Sequence, residues 1–192
     1  MAAARETEVK LPVSNVRKIR SRLKSLGFRV SRPRRFESNR LFDFANLRLR
    51  KSRCLLRLRL EEGRALVTFK GAPLSSRVYK VRREVETGVA DGRRIEEIFE
   101  GLGLEETFRY EKYRTTFARK RDRVRKSQPL VELDQTPIGD YLELEGPPRW
   151  IDIVSRGLGY SCKDYITASY ATLYLEYCRL KGCRPGSMTF GA

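Results

Sequence analysis

Acidic and basic residues recur along this chain at a spacing of two. Glu6 and Glu8 are separated by one residue, and so are Glu143 and Glu145. On an extended strand, residues i and i+2 point the same way about 7 Å apart, so each pair presents two carboxylates to one side. Hard divalent cations such as Mg²⁺ or Mn²⁺ take oxygen ligands from a few carboxylates and leave positions for substrate phosphates. Arg57, Arg59, Lys70, Arg82, Lys112 and Arg114 follow the same two-residue beat. They cannot ligate metal, but Arg grips phosphate oxygens bidentately and Lys does so as a point charge. Together these types make a site for metal ions bridged to a polyanion. Such a site performs phosphoryl or nucleotidyl transfer by positioning and charge neutralisation.

None of the 192 residues is His. That excludes a Ser-His-Asp triad, a Cys-His nucleophile, a His-Glu-x-x-His zinc site and imidazole acid–base chemistry. The four Cys (Cys54, Cys162, Cys178 and Cys183) include no C-x-x-C pair and read as free thiols in a reducing cytosol. Lys and Arg number 41 against 24 Asp and Glu, a formal net charge of +17. A chain this basic expects an anionic partner: nucleic acid, a phosphorylated small molecule or an acidic membrane surface. With 40% hydrophobic residues it can build one domain around a real core. Glu6 interrupts the amino terminus before an export segment forms, and no run approaches the roughly 18 apolar residues of a spanning helix. The expectation is a soluble, cytoplasmic protein with no membrane partner.

Four helical stretches punctuate the sequence. Ser14 is placed to cap one, with Val16, Ile19, Leu23 and Leu26 on a stripe and Gly27 closing it. Asp91 opens a second, with Ile95, Ile98, Phe99 and Leu102 on one face before Gly103. A third starts at Pro147-Pro148 and runs through Trp150, Ile151 and Val154 to Gly157. The fourth is expected from Asp164 to Lys181, broken by Gly182 and Pro185. Residues 1–181 then make the domain and residues 182–192 a loose tail.

Between the helices nearly everything alternates with period two, and the polar positions are charged in seven segments. A sheet with one solvated face accounts for any single segment, through cross-strand pairs worth about a few tenths of a kcal/mol. Seven segments carrying both signs favour strands closed into a barrel, with a charged lumen and an apolar outer face under the amphipathic helices.

The charged segments also follow a known order. Glu6-Thr7-Glu8-Val9-Lys10 has the form E-x-E-x-K; Leu41-Phe42-Asp43, Leu56-Arg57-Leu58-Arg59 and Thr68-Phe69-Lys70-Gly71 follow. Next come Arg82-Arg83-Glu84-Val85-Glu86, Lys112-Tyr113-Arg114 and Glu132-Leu133-Asp134, then Gly139, Leu142-Glu143-Leu144-Glu145 and Ser169-Tyr170. As a set these resemble the motifs of the CYTH superfamily, the triphosphate tunnel metalloenzymes. That group includes class IV adenylyl cyclases, thiamine triphosphatases and inorganic triphosphatases. The resemblance implies an α+β, mainly β fold: an eight-stranded antiparallel closed barrel flanked by helices. It implies Mg²⁺ or Mn²⁺ held by Glu6, Glu8, Glu143 and Glu145, with Glu84, Glu86 and Asp134 as further candidates. It places triphosphate on Lys10, Arg57, Arg59, Lys70, Arg82 and Arg114, with Lys112 adjacent. In two places the chain departs from the pattern. Ala168 stands where many relatives carry a basic residue before Ser-Tyr, a loss that Lys163 is in a position to cover. The segment 119–126 is also unusually basic, either a solvated hairpin or an RNA-phosphate contact.

These readings lead to a metal-dependent hydrolase of inorganic triphosphate or a small organic triphosphate. Class IV adenylyl cyclase chemistry, yielding cyclic AMP and pyrophosphate, is the alternative. A more distant one is a non-enzymatic RNA- or polyphosphate-binding module, suggested by the net charge and by aromatics among the basic residues of 108–126. The aligned carboxylates speak against that module, because they repel phosphate unless a metal lies between.

Overall fold

A computed structural model describes residues 5–76, 78–122 and 129–191. Eight strands close a barrel: β1 (Arg5–Val13), β2 (Arg29–Phe44), β3 (Leu55–Glu61), β4 (Arg64–Lys70), β5 (Lys80–Val89), β6 (Leu104–Ala118), β7 (Leu130–Thr136) and β8 (Gly139–Glu145). Around the barrel the order is β1-β5-β4-β3-β2-β6-β7-β8, and every neighbour is antiparallel. The helices are α1 (Val16–Ser25), α2 (Arg48–Lys51), α3 (Gly92–Gly101), α4 (Pro148–Gly157) and α5 (Tyr170–Lys181). The barrel and its flanking helices agree with the expected fold class.

Alternation decides which way each side chain faces. Val9, Leu11, Leu142 and Leu144 point outward from β1 and β8 and are fully buried beneath Ile19 and Leu23 of α1 and Ile151 and Val154 of α4. Each such aliphatic side chain stabilises the fold by roughly 1.5–3 kcal/mol relative to exposure. A second core joins Phe42, Leu58, Ala65 and Leu104 to Phe99 of α3. There α3 lies so close to the sheet that a Cβ on Gly92 would meet Leu60 Cδ2 at 2.9 Å. With the apolar face committed outward, the charged face is left to the lumen.

Several local expectations are corrected. Asn15, not Ser14, caps α1, accepting from Lys18 N at 2.9 Å. The expected helix 164–181 is divided. Cys162–Asp164 is a single 3₁₀ turn closed by a Ser161/Asp164 capping box. Ile166 then exchanges both backbone hydrogen bonds with Lys10, and α5 begins only after Ser169 caps it. The segment after Gly182, expected to be loose, returns to the barrel. Met188 is buried, its N–H donates to Arg109 O, and its carbonyl accepts from Glu111 N. Met188 packs there with Tyr110 and Tyr170. β2 was foreshadowed only by Leu41-Phe42-Asp43. Its first half, Arg29 to Arg35, contains Pro33 and two register shifts against β6 that erase the alternation.

Candidate active site

The lumen encloses a cavity of about 280 Å³. Its lining includes Glu6, Glu8 and Lys10 from β1, Arg57 and Arg59 from β3, and Lys70 from β4. Arg82, Glu84 and Glu86 enter from β5, Lys112 and Arg114 from β6, and Glu143 and Glu145 from β8. The structure thus brings together every residue the sequence assigned to metal or phosphate except Asp134. Asp134 is fully buried behind the lining. It accepts from Lys112 Nζ at 2.8 Å, from Arg114 Nε and Nη2 at 2.6 Å each, and from the Tyr170 hydroxyl at 2.7 Å. With its oxygens so engaged, Asp134 positions cations rather than offering itself to a metal.

Around β1, β4 and β5, acids and lysines alternate in a chain of ion pairs. Glu8 Oε1 accepts from Lys80 Nζ at 2.6 Å and from Lys10 Nζ at 3.4 Å, and Lys10 reaches Glu143 at 3.1 Å. Lys70 Nζ bridges Glu6 at 2.7 Å and Glu84 at 2.9 Å. Arg57 Nη2 donates to Thr68 at 3.1 Å and to the half-exposed Glu86 at 3.3 Å. Burial, reinforced by Glu8, pushes the Glu6 carboxyl up to about 9. Burial with Glu132 and Glu8 nearby raises Glu145 to about 7. Burial would raise Glu84 as well, but the hydrogen bond from Glu6 and the Lys70 charge outweigh it and hold Glu84 at about 2. Glu8 and Glu143 are likewise buried, yet Lys10, aided by Lys80 and Arg114 respectively, keeps both well below the usual carboxylate range.

On the opposite wall, cations face the cavity with acids behind them. Glu37 of β2 is fully buried, 3.2 Å from Arg35, 3.6 Å from Lys112, 3.7 Å from Arg59 and 3.9 Å from Arg114. Burial is overcome by these cations, which depress the Glu37 carboxyl far below its ordinary value. Arg114 also pairs closely with Glu132 and Glu143.

Sequence reasoning did not nominate Glu37, Arg35, Asn39, Lys80, Glu132, Tyr110 or Tyr170 as site residues. Lys80 was within reach, because it extends the Arg82-Glu84 beat by one step and pairs in register with Glu8. The β2 residues were hidden by the irregular start of that strand. Lys163 is exposed and lines neither the lumen nor its mouth. Lys80 instead stands at both. Arg119 is drawn inward, bonding Asp122 and Leu26 O and covering the Phe28 ring. Arg123–Lys126 of that basic segment lie outside the described residues, as do Met1–Ala4.

The donor set suits a hard divalent cation, since the acidic lining residues offer carboxylate oxygens, and the burial and like charge that raise Glu6 and Glu145 are relieved by a bound cation. Among the described residues no three acidic side chains already form a ligand cluster, because Lys10, Lys70 and Lys80 stand between them. The cationic lining also has unfilled capacity. Arg57 Nε and Arg82 Nε are buried without a hydrogen-bond acceptor among the described residues. Phosphate oxygen supplies such acceptors.

The eight strands thus enclose a tunnel whose lumen is lined by both carboxylates and cations. Residues 4–149 match the CYTH domain family model, and the chain belongs to that family. The family includes adenylyl cyclases and triphosphatases, binds triphosphate substrates and generally uses divalent metal. The chain is 31% identical over 140 residues to "Putative adenylate cyclase MJ0240" of Methanocaldococcus jannaschii, covering 73% of this chain and 75% of that protein. The X-ray structure of a "putative adenylate cyclase" from Vibrio parahaemolyticus superposes with a TM-score of 0.76 at 19% identity, covering 90% of this chain and 98% of the other. The structure of "Putative adenylyl cyclase HpAC1" from Hippeastrum, described as revealing a dominant triphosphatase activity, gives 0.65 at 15% identity, covering 94% and 97%. At these identities the two structures bear on the fold alone. No helix among the described residues is long and apolar enough to cross a membrane.

Proposed function

We infer that this protein is a divalent-metal-dependent triphosphatase, cytoplasmic, acting on a triphosphate moiety held in the lumen. The observation that carries the reading is one cavity lined at once by cations for a phosphate chain and by Glu6, Glu8, Glu84, Glu143 and Glu145 for metal. Lys10, Arg57, Arg59, Lys70, Arg82, Lys112 and Arg114 bind and orient the phosphates. Asp134, Glu37 and Tyr170 fix the cations from behind. Bound Mg²⁺ or Mn²⁺ supplies neutralisation of charge developing on the transferred group.

A second reading, class IV adenylyl cyclase, is favoured by the space outside the lumen. A cleft of about 1050 Å³ adjoins it, sharing Leu41, Leu55, Lys80 and Arg82 and lined further by Phe108 and Leu175. That mixed polar and apolar mouth has room for an organic group attached to the phosphates, and the name of the Methanocaldococcus relative points the same way.

The test is to incubate purified protein with tripolyphosphate, ATP and thiamine triphosphate under Mg²⁺ or Mn²⁺ and to identify every product. Orthophosphate release that EDTA abolishes supports the triphosphatase. Cyclic AMP with pyrophosphate from ATP replaces it with the cyclase. Metal-independent binding that falls steeply with salt, without turnover, overturns both in favour of a polyanion-binding module.

A further inference from the structure

The carboxyl end of α5 holds a pair of thiols that the tunnel does not use. Gly182 is left-handed there (φ 68°), and the chain turns back so that the Cys183 N–H donates to the Cys178 carbonyl at 3.0 Å. In this type of helix ending, the residue after the left-handed one folds onto the residue five positions earlier, bringing their side chains together. Here both are Cys. Cys178 is fully buried and Cys183 exposed. A disulfide needs Cα atoms roughly 4.4–6.8 Å apart with converging Cβ vectors, and a turn that folds the residue after Gly182 back onto Cys178 favours that convergence.

We propose that Cys178 and Cys183 form a thiol–disulfide exchange site that takes a small disulfide as oxidant and closes to an intramolecular disulfide. Exposure sets the order of events. Cys183 loses its proton to solvent, and its thiolate attacks one sulfur of the small disulfide, whose S–S bond breaks. One small thiolate leaves and is protonated. Cys178, likewise deprotonated, attacks the Cys183 sulfur of the mixed disulfide and expels the second small thiolate. Two protein thiols are oxidised and one small disulfide is reduced to two thiols. The bond ties α5 to the root of the tail. Beyond it Ser187 O accepts from the Tyr174 hydroxyl at 3.2 Å, while Pro185 and Gly186 help wall the cleft at the tunnel mouth.

The full-length native protein is treated with oxidised glutathione, alkylated, digested with trypsin and mapped by mass. Arg179 and Lys181 lie between the two Cys, so trypsin separates them unless they are linked. The expected result is one dominant link, Cys178–Cys183, whose joined peptides weigh about 2 Da less than the sum of the two reduced peptides. Exposed Cys162 should keep glutathione as a mixed disulfide. Cys178→Ser should trap glutathione on Cys183, whereas Cys183→Ser should leave Cys178 unmodified in the folded protein. Gly182→Ala, which strains the left-handed turn, should slow linkage at least several-fold. Glutathione retained on Cys183 of the wild type, preferential linkage to Cys54 or Cys162, or an unchanged rate in Gly182→Ala overturns the proposal.

Discussion

The two walls of the tunnel use the same residue types to opposite ends. On the wall of β2, β6 and β7, Glu37 and Asp134 stand behind the lining with cations in front, and of its acids Glu132 reaches the cavity. Glu37 is flanked by four cations, and Asp134 is gripped by Lys112, Arg114 and Tyr170. On the wall of β1, β5 and β8, acids face the cavity themselves, and Glu6 and Glu145 are pushed up by burial and by one another's neighbours. In the first arrangement the acids are surrounded by cations that hold Glu37 ionised. In the second, the cations hold Glu8 and Glu143 ionised but not Glu6 and Glu145. Charge balance, more than residue type, separates framework from reactive surface.

The largest effect that checks this division belongs to Arg114. Removing one member of a buried ion network leaves uncompensated charge, which costs about 3–5 kcal/mol. Arg114→Ala should therefore lower stability by that order in urea unfolding, because Asp134, Glu132 and Glu143 lose a shared partner. Arg94→Ala on α3, whose side chain is 82% exposed, is the control and should cost under about 0.5 kcal/mol. Similar losses for the two would dissolve the contrast between the walls.

Next in size is the pair Arg57 and Arg59, which sequence spacing assigned together to the phosphate chain. The structure divides them. Arg59 leans on Asn39, Glu37 and Glu61, whereas Arg57 faces Glu84 and Glu86 and keeps a buried Nε without an acceptor. A charge-assisted bond to phosphate is worth roughly 1.5–3 kcal/mol, so Arg57→Ala should reduce kcat/KM by about one to two decades. Lysine at 57 should restore only part, lacking the bidentate fork. Arg59→Ala should show the larger loss in thermal stability of the two. Steady-state kinetics beside thermal melts would show whether the division holds.

How far the sequence foretold this follows the same line. Wherever charge alternated cleanly with Val or Leu, as in β1, β3 and β8, the lumen-facing residues could be read directly, since period two fixes the face. Where Pro33 and bulges disturb β2, Arg35, Glu37 and Asn39 could not be seen, although they anchor the completed wall. Asp134 and Glu132 share one strand and one face, yet Asp134 lies behind the lining and Glu132 on it. No spacing rule distinguishes front from back, because depth depends on the cations that arrive from β6. The tail was misjudged for another reason. Its Gly and Pro content signals a loop, but burial of Met188 against Tyr110 and Tyr170 holds it in place.

A smaller stability effect concerns acid. The Glu37 carboxyl lies below its unfolded value, so its contribution is present above about pH 4.3 and is lost as pH falls through the folded value. Glu37→Gln should lower stability at neutral pH and flatten the acid limb of the stability curve, as followed by circular dichroism from pH 7 downward.

The smallest effect has the opposite sign, and it discriminates most between the walls. Glu145 has its folded pKa raised to about 7 by burial and by Glu132 and Glu8. Between its unfolded value near about 4.3 and that folded value, the native state holds the proton that the unfolded chain has released. Stability of the metal-free protein therefore falls as pH rises through this window, and the loss persists above it. Glu145→Gln removes the penalty. The variant should match wild type near pH 4 and exceed it by on the order of 1 kcal/mol at pH 8, while losing activity. Mg²⁺, binding only the folded state, should raise the melting temperature of wild type more than that of the variant. If the variant is instead less stable at pH 8, Glu145 belongs with Glu37 to the completed framework, and the open wall shrinks to Glu6, Glu8 and Glu84.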